Sequence, residues 1–354
     1  MSRREFVGGD FRAPPPPSFI PDPHSLVESR PTIMQPMRFH PLVKRALWGG
    51  RRLHTLLGKP IGSENDYAES WEIADLPGNV SRVLGGEHEG RTLHDLVREF
   101  PTELMGRHAS LERFPLLVKF LDAQIPLSIQ VHPNHGDGPD SLHDIQGKAE
   151  LWVIIEALPE SQIAVGLTPG VGRNELREAL ADGEPLSCLN LISVSAGDAV
   201  FLPPGTVHFM GAGIVAAEVQ QPCDITYRLD DWGRLDRQGH PRDLHFEEAL
   251  AAIDESLGPI PLIAPQPLNL PGRPELIADN LYFQVRRFFG EDTFSFPIDD
   301  TAHVLSVLGG AVQVQSEESC HSLVMGDSIL LPAGRPPIQI ELGPEAILID
   351  AVAG

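Results

Sequence analysis

Gln130 and His132 stand two residues apart in the apolar stretch Ser128-Ile-Gln-Val-His132. In a strand that spacing turns both side chains to the same face. Glu150 opens a later apolar run, and His208 ends the run Gly197-Asp-Ala-Val-Phe-Leu-Pro203-Pro-Gly205-Thr-Val-His208. Singly, each has an ordinary explanation as an interior histidine, a polar strand face or a charge at a strand end. Together, Gln130, His132, Glu150 and His208 are two imidazoles, one carboxylate and one amide oxygen. Such a set suits a borderline divalent ion such as zinc, with one position left for water or substrate. A closed structural zinc site is usually rich in cysteine, so this set points to an open, catalytic centre with one Zn2+ per chain.

The elements that must carry these residues are short and turn-bounded. Gly197-Asp198 signals a turn, four apolar residues make a strand, Pro-x-Gly turns the chain again, and His208 begins the next strand. The run recurs 129 residues later as Gly326-Asp-Ser-Ile-Leu-Leu-Pro332-Ala-Gly334-Arg-Pro-Pro337, with proline where the histidine stood. Two similar β units follow, one able to bind a metal and one not. The repeated run resembles the second sequence motif of the cupins, small β jelly rolls with a metal inside. The expectation is a mainly β chain of two cupin-type jelly-roll units with a few short helices. In the cupin pattern Gln130 replaces the first histidine of a His-x-His pair, which lowers donor strength and disfavours redox iron chemistry.

The remaining elements are read from periodicity. Strands are expected at Tyr67–Ala74, Phe114–Phe120, Leu127–Val131, Leu151–Ile155 and Gln162–Leu167, and through the motif from Ala199 to Gln220. A helix at Thr92–Met105 must be interrupted or capped at Pro101. A second runs over Asn174–Ala181 with Asn174 as its cap, and a third over His245–Leu257. The expected division is 1–36, a disordered proline-rich extension whose alternative use is a docking arm; 37–258, the catalytic metal-binding unit with helical insertions; and 259–354, a metal-free unit. The proline-rich 259–273 serves as linker, and the second β unit occupies Leu281–Ala353.

The 354-residue length suits two domains. No segment is apolar and long enough to span a bilayer, and no apolar signal-peptide core precedes the first unit. Three widely spaced cysteines, Cys188, Cys223 and Cys320, make a disulfide framework improbable and a cytoplasmic setting the default. A net charge of −22 argues against nucleic acid or an anionic membrane as partner. An anionic substrate would need its own local cations. Lys119, Lys148, Arg228 and Arg234 lie near the motifs, with Lys44, Arg45, Arg51 and Arg52 upstream; Lys119 and Arg234 are as easily surface cations.

Ordered matches then accumulate: Trp48-Gly-Gly50, Glu69-Ser-Trp-Glu72, Phe114-Pro-Leu-Leu-Val-Lys119, Ser128-Ile-Gln-Val-His-Pro133, Gly147-Lys-Ala-Glu150, Pro204-Gly-Thr-Val-His208, and Glu218-Val-Gln-Gln-Pro-Cys-Asp224-Ile-Thr-Tyr-Arg228-Leu-Asp-Asp-Trp-Gly-Arg234. With these the chain resembles the type I phosphomannose isomerases in their short bacterial form, closely over Pro41–Leu257 and more loosely beyond. The resemblance implies that Gln130, His132, Glu150 and His208 bind zinc. It also implies that Arg228 and Lys148 are active-site cations, with Glu218 and Asp224 as acidic partners. The implied reaction interconverts mannose 6-phosphate and fructose 6-phosphate through a cis-enediolate, with Glu218 or neutral Lys148 moving the proton. The partner is then a small sugar phosphate, and the protein a monomer or weak homo-oligomer.

Two departures from the family pattern stand out. His135 adds a histidine after the His132 loop and reads as a solvated residue. Asp230-Asp231 places two acids where one is usual, which would weaken phosphate binding if they faced the pocket. His303 and His321 lack ligand spacing and read as structural or surface residues. Two rival functions remain: a non-enzymatic sugar-phosphate sensor on this scaffold, and an Fe(II) cupin dioxygenase.

Overall fold

Strand periodicity decides which side chains meet. In a computed structural model describing residues 33–134, 147–236 and 238–354, four large sheets pair into two sandwiches. In the first, a six-stranded antiparallel sheet runs Ala199–Leu202, Glu150–Ala157, Ile214–Gln220, Leu117–Ala123, Tyr67–Ile73, Leu42–Gly50. Opposite it, a five-stranded sheet runs Leu189–Ser193, Gln162–Leu167, His208–Met210, Ile129–Val131, Tyr227–Asp230. Leu121, Trp152 and Ile154 from one sheet meet Ile163, Val165 and Met210 from the other in a common core.

The second sandwich sets a six-stranded sheet that includes Phe283–Phe289, Ile347–Ala353, His303–Gly309 and Ser328–Leu331 against a four-stranded sheet. Phe288, Leu305, Val307 and Ile340 are in its core. The outward faces of both six-stranded sheets share one further core. Val118, Phe120, Leu151, Val153 and Val219 pack there with Phe283, Val285, Val304 and Ile349, and helix Leu93–Glu99 adds Leu93, Leu96 and Val97. Residues 33–354 accordingly form one compact unit. The packed chain is already in place at Met34, which is buried and donates its N–H to Gly334 O. Residues 1–32, most of the expected extension, lie outside the described residues.

Alternation along the shared-core strands leaves the opposite parity for the interior of the first sandwich. Val118 and Phe120 face the shared core, so Lys119 and Leu121 point the other way. Glu150 and Trp152, and likewise Glu218, follow the same rule on the two neighbouring strands. Three charged side chains are thus directed inward by backbone pleat alone.

The repeat is visible in register. Leu202 pairs with Glu150, and Leu331, at the same position of the second run, pairs with His303. Lys119 pairs with Glu218, which also pairs with Trp152; Arg286 pairs with Asp350, which also pairs with Leu305. Trp152 and Leu305 each follow Glu150 and His303 by two residues. Hence His303, Arg286 and Asp350 are the second unit's counterparts of Glu150, Lys119 and Glu218.

Several expected boundaries shift. Pro101 does divide the helical stretch, ending one helix at Glu99 and serving as first residue of the helix Pro101–Met105. Asn174 lies inside the helix Arg173–Ala181 rather than capping it; Glu175 accepts the Gly172 N–H at 3.0 Å and closes that end two residues earlier, at Gly172. The helix after His245 spans only Phe246–Ala252, because Ile253 turns extended. The strand expected from Phe114 begins at Leu117, since the Phe114 N–H is spent on the Asp75 carboxylate instead of a ladder. A short strand, Gln266–Pro267, sits within the expected linker, and the second unit's sheet begins before Leu281.

Candidate active site

His208, Gln130 and Arg228 form one row across the five-stranded sheet, His208 opposite Gln130 and Gln130 opposite Arg228. Their neighbours Ile129 and Val131 pack outward beneath the helices Arg173–Ala181 and Phe246–Ala252, with Leu176, Ala249 and Leu250. That apolar outer face fixes which way Gln130 must point. Glu150 reaches the row from the opposite sheet, and His132 continues the Gln130 face beyond the strand end.

His132, Glu150 and His208 bring their ligating atoms within 4.8 Å of one another, all buried. Each imidazole is oriented by its Nδ1, His132 on Ile225 O at 2.9 Å and His208 on Thr206 O at 2.9 Å. Nδ1 therefore carries the proton and Nε2 presents a lone pair. Those lone pairs face the Glu150 carboxylate, at 3.1 Å for His132 and 3.7 Å for His208. Burial lowers both imidazole pKa values, that of His208 to about 3, so both are neutral at ordinary pH. Burial opposes ionisation of Glu150 as well, yet its pKa is held well below the usual carboxylate range by His132, which acts so only when protonated, and by the Lys148 ammonium.

Two lone pairs and a carboxylate converging without a proton between them repel unless a cation lies among them. Glu150 Oε2 is buried without a hydrogen-bond partner. Lys148 answers part of this demand, its Nζ lying 2.6 Å from Glu150 Oε1 and 3.1 Å from His132 Nε2. These residues fit a divalent metal ion: neutral imidazoles with fixed tautomers, an ionised carboxylate and an orphaned oxygen. Gln130 places its amide nitrogen 3.1 Å from His208 Nε2 and its oxygen 3.1 Å from Ser128 Oγ. A half-turn of that amide would exchange the two atoms and aim the oxygen inward as a fourth donor.

A cavity of about 320 Å³ opens on this cluster, lined by Gln130 and Glu150 together with Lys119, Lys148, Glu218, Asp224, Arg228 and Arg242. It is large enough for a small ligand. Lys119 is 4% exposed, a buried cation of the cavity and not a surface one. Its Nζ lies 2.9 Å from Glu218 Oε1, off the line of a hydrogen bond, and 3.6 Å from Glu69. Burial disfavours the Lys119 charge, but Glu218 and Glu69 outweigh it and raise its pKa. Glu218 Oε2 accepts the Trp152 indole N–H at 2.9 Å. Burial and the nearby Glu150 raise the Glu218 pKa, which moves that carboxyl toward the range of a general acid–base.

All eight residues singled out in the sequence border the cavity or its buried ligand cluster. Asp224 lines the wall, and Lys119, one of the candidate cations, joins it; Glu69, Ser128, Trp152 and Arg242 join it without having been assigned a role. Strand parity next to the quoted motifs carries the signal for Lys119 and Trp152. Arg242, in an irregular segment, has no such signal. The upstream cations are structural: Arg52 pairs with buried Asp122 at 2.9 Å, Arg45 with Asp66 at 2.6 Å, and Arg51 donates to Gly62 O at 2.8 Å. Asp231 does not face the pocket as a free acid; it is 5% exposed and pairs with Arg234 and Arg242. His303 is buried in the second sandwich, and His135 lies outside the described residues. Cys188, Cys223 and Cys320 are all free thiols.

Comparison with known proteins bears on most of the chain. Residues 37–158 match the family model "Phosphomannose isomerase type I, catalytic domain". The chain is 34% identical over 301 residues to a mannose-6-phosphate isomerase of Streptococcus mutans, covering 84% of this chain and 92% of that protein. It is 33% identical over 324 residues to the mannose-6-phosphate isomerase ManA of Bacillus subtilis, covering 89% and 98%. A crystal structure of the mannose 6-phosphate isomerase from Bacillus subtilis superposes with a TM-score of 0.82 at 30% identity, over 90% of this chain and 99% of that one.

Proposed function

From the premise that this chain belongs to the type I phosphomannose isomerases and is a mannose-6-phosphate isomerase, we propose a zinc-dependent conversion of mannose 6-phosphate to fructose 6-phosphate through a cis-enediolate. The observation that carries the metal is the buried convergence of His132 Nε2, His208 Nε2 and the orphaned Glu150 Oε2 at the cavity floor. His132, Glu150 and His208 would hold the ion, with Gln130 as fourth ligand after rotation of its amide. Zinc bound there supplies Lewis-acid stabilisation of negative charge on the sugar oxygens.

The chain's own groups do the rest. The net change moves one proton from C2 of the open-chain aldose to C1, with the hydroxyl and carbonyl exchanging a second. Glu218, with its raised pKa and its Oε2 held by Trp152, is the group we assign to that transfer. Lys119 stays protonated beside it and stabilises the carboxylate form in which Glu218 accepts the proton. Lys148 is engaged by Glu150 at 2.6 Å, and we assign it an electrostatic role. Arg228, one strand from Gln130, faces the anionic substrate. Asp224 completes the acidic side of the cavity.

We take residues 37–258 as the catalytic part and 259–354 as a metal-free one, in a cytoplasmic enzyme that is a monomer or weak homo-oligomer. The test is direct conversion of mannose 6-phosphate, read by a coupled assay for fructose 6-phosphate. Turnover supports the isomerase; tight binding without turnover would make the chain a sugar-phosphate sensor. Oxygen uptake with stoichiometric iron would make it a dioxygenase.

A further inference from the structure

Arg242 lies in the irregular segment between the strand Tyr227–Asp230 and the helix Phe246–Ala252, yet it lines the same cavity as Glu150 and Glu218. It is held there from behind. Its Nε donates to Asp231 Oδ2 at 2.7 Å, and its Nη2 donates to Asp231 Oδ1. Asp231 also accepts from Arg234, whose remaining donors are used on Pro126 O at 2.6 Å and on Asp231 O at 3.1 Å. Arg234 is therefore spent on structure, whereas the Arg242 Nη1 has no partner among the described residues. Arg228 is similar: it donates to Asp243 O at 2.7 Å and to Ser128 Oγ at 3.3 Å, leaving Nη2 without a partner among the described residues.

Among the described residues no carboxylate lies within ion-pair distance of the Arg228 guanidinium. Burial and the proximity of Arg242 lower the Arg228 pKa, so the two cations are close enough to repel. Asp231 and Asp243 offset this only in part, since the Arg228 pKa remains lowered. Two guanidinium edges with free N–H groups, repelling each other at one cavity wall, form a site that a dianion would relieve. Arg228 is two strand spacings from His208, about 10 Å, which matches the reach of an extended six-carbon chain carrying a terminal phosphate.

We propose that Arg242 binds the substrate's phosphate together with Arg228, and that Asp231 is the positioning residue that aims it. This rests on the isomerase reading for the identity of the substrate; the anion site itself does not. The pair Asp230-Asp231 then has a purpose opposite to repulsion: Asp231 splints Arg242, and Asp230 accepts the Trp232 N–H at 2.6 Å.

The experiment compares wild type with Arg242→Lys, Arg242→Met and Asp231→Asn in two measurements. The first is steady-state turnover of mannose 6-phosphate and of unphosphorylated mannose. The second is binding of inorganic phosphate by calorimetry, with folding of each variant checked by thermal denaturation. Expected is a KM for mannose 6-phosphate raised about ten- to hundredfold in Arg242→Met, with kcat changed far less and turnover of mannose changed equally little. Phosphate affinity should fall in parallel, and Asp231→Asn should repeat the KM effect more weakly. Arg242→Lys keeps the charge without the fork and should fall between. Unchanged KM and unchanged phosphate binding in folded Arg242→Met would overturn the proposal. If wild type does not turn over mannose 6-phosphate, the isomerase reading fails, and the phosphate measurement alone decides the anion site.

Discussion

Lys119 and Glu218 face each other as direct cross-strand partners, one pair among many in their sheet, and only burial makes them chemically unusual. Both are 4% exposed. Removing one partner of such a pair leaves the other charged in a poorly solvated place, at a cost of about 3–5 kcal/mol. Lys119→Met should accordingly raise the Glu218 pKa further, lower stability by up to about that amount, and reduce kcat by about 100-fold or more. Bound metal should be retained, because no ligand is altered. The coupled assay and metal analysis check this together, and near-normal kcat would show that proton transfer does not need Lys119. At this scale the sequence was informative where type and spacing coincide. The i, i+2 pair Gln130 and His132 is legible because pleat alone aligns them. Lys119 was left undecided, since burial of a lysine depends on strands that approach from elsewhere in the chain. Arg242 was invisible, because a cation in an irregular segment has no periodicity to declare its direction.

The motif strand and its turn are what deliver His208. Gly205 adopts a left-handed φ of 81°, donates its N–H to His132 O at 2.9 Å, and accepts from Asp254 N at 3.0 Å. One turn residue thus ties the segments that carry His132 and His208 together. A Cβ there would stand 3.0 Å from both Ala252 O and Asp254 Cβ. Gly205→Ala should cost about 1–3 kcal/mol and weaken metal binding, because His208 and His132 shift relative to each other. Chemical denaturation and metal titration read the two effects; a loss of stability with metal affinity intact would show that the turn does not set the ligands. Gly334, its equivalent in the second run, has no such φ and donates to Glu103 O at 2.7 Å. The Gly/Pro punctuation made these turns and strands legible in the sequence. Helix ends were less so: the Gly172 cap depends on a reach-back from Glu175, and the early end at Ala252 depends on packing under the five-stranded sheet.

Across the molecule, the repeat shows what became of the same cavity in the second sandwich. The counterparts of Lys119, Glu218 and Glu150 are Arg286, Asp350 and His303, and they are bonded to one another. Arg286 Nε donates to Asp350 Oδ2 at 3.0 Å, and His303 bonds Asp350 Oδ1 at 2.8 Å through Nδ1 and Asp299 Oδ1 at 2.9 Å through Nε2. Arg335, buried, closes the set with 3.0 Å to Asp299. The ionic network occupies the register positions that in the first unit border the cavity. Its existence could not be read from the run ending in Pro337, because register, which is set by pairing between distant strands, decides which residues correspond.

With carboxylates at both ring nitrogens, His303 is held as an imidazolium. Burial opposes that charge, but Asp350 and Asp299 outweigh it and raise the pKa. The neighbouring Phe296 ring is neutral, and Arg286 and Arg335 engage the carboxylates. A raised folded-state pKa means stability that is fully present below the unfolded value of about 6.5 and lost as pH rises through the folded value. The denaturation midpoint of wild type should therefore fall toward that of His303→Gln as pH increases from about 6.5 upward. A gap between the two proteins that does not change with pH would contradict this protonation state.

The central claim is that His132, Glu150 and His208 hold one metal ion on which isomerisation depends. The most direct measurement is the metal content of wild type and His208→Ala, taken alongside the rate of mannose 6-phosphate conversion before and after chelation. The predicted result is one zinc per wild-type chain, activity lost with chelator and restored by zinc, and neither metal nor activity in His208→Ala. Full conversion by wild-type protein stripped of metal would contradict it.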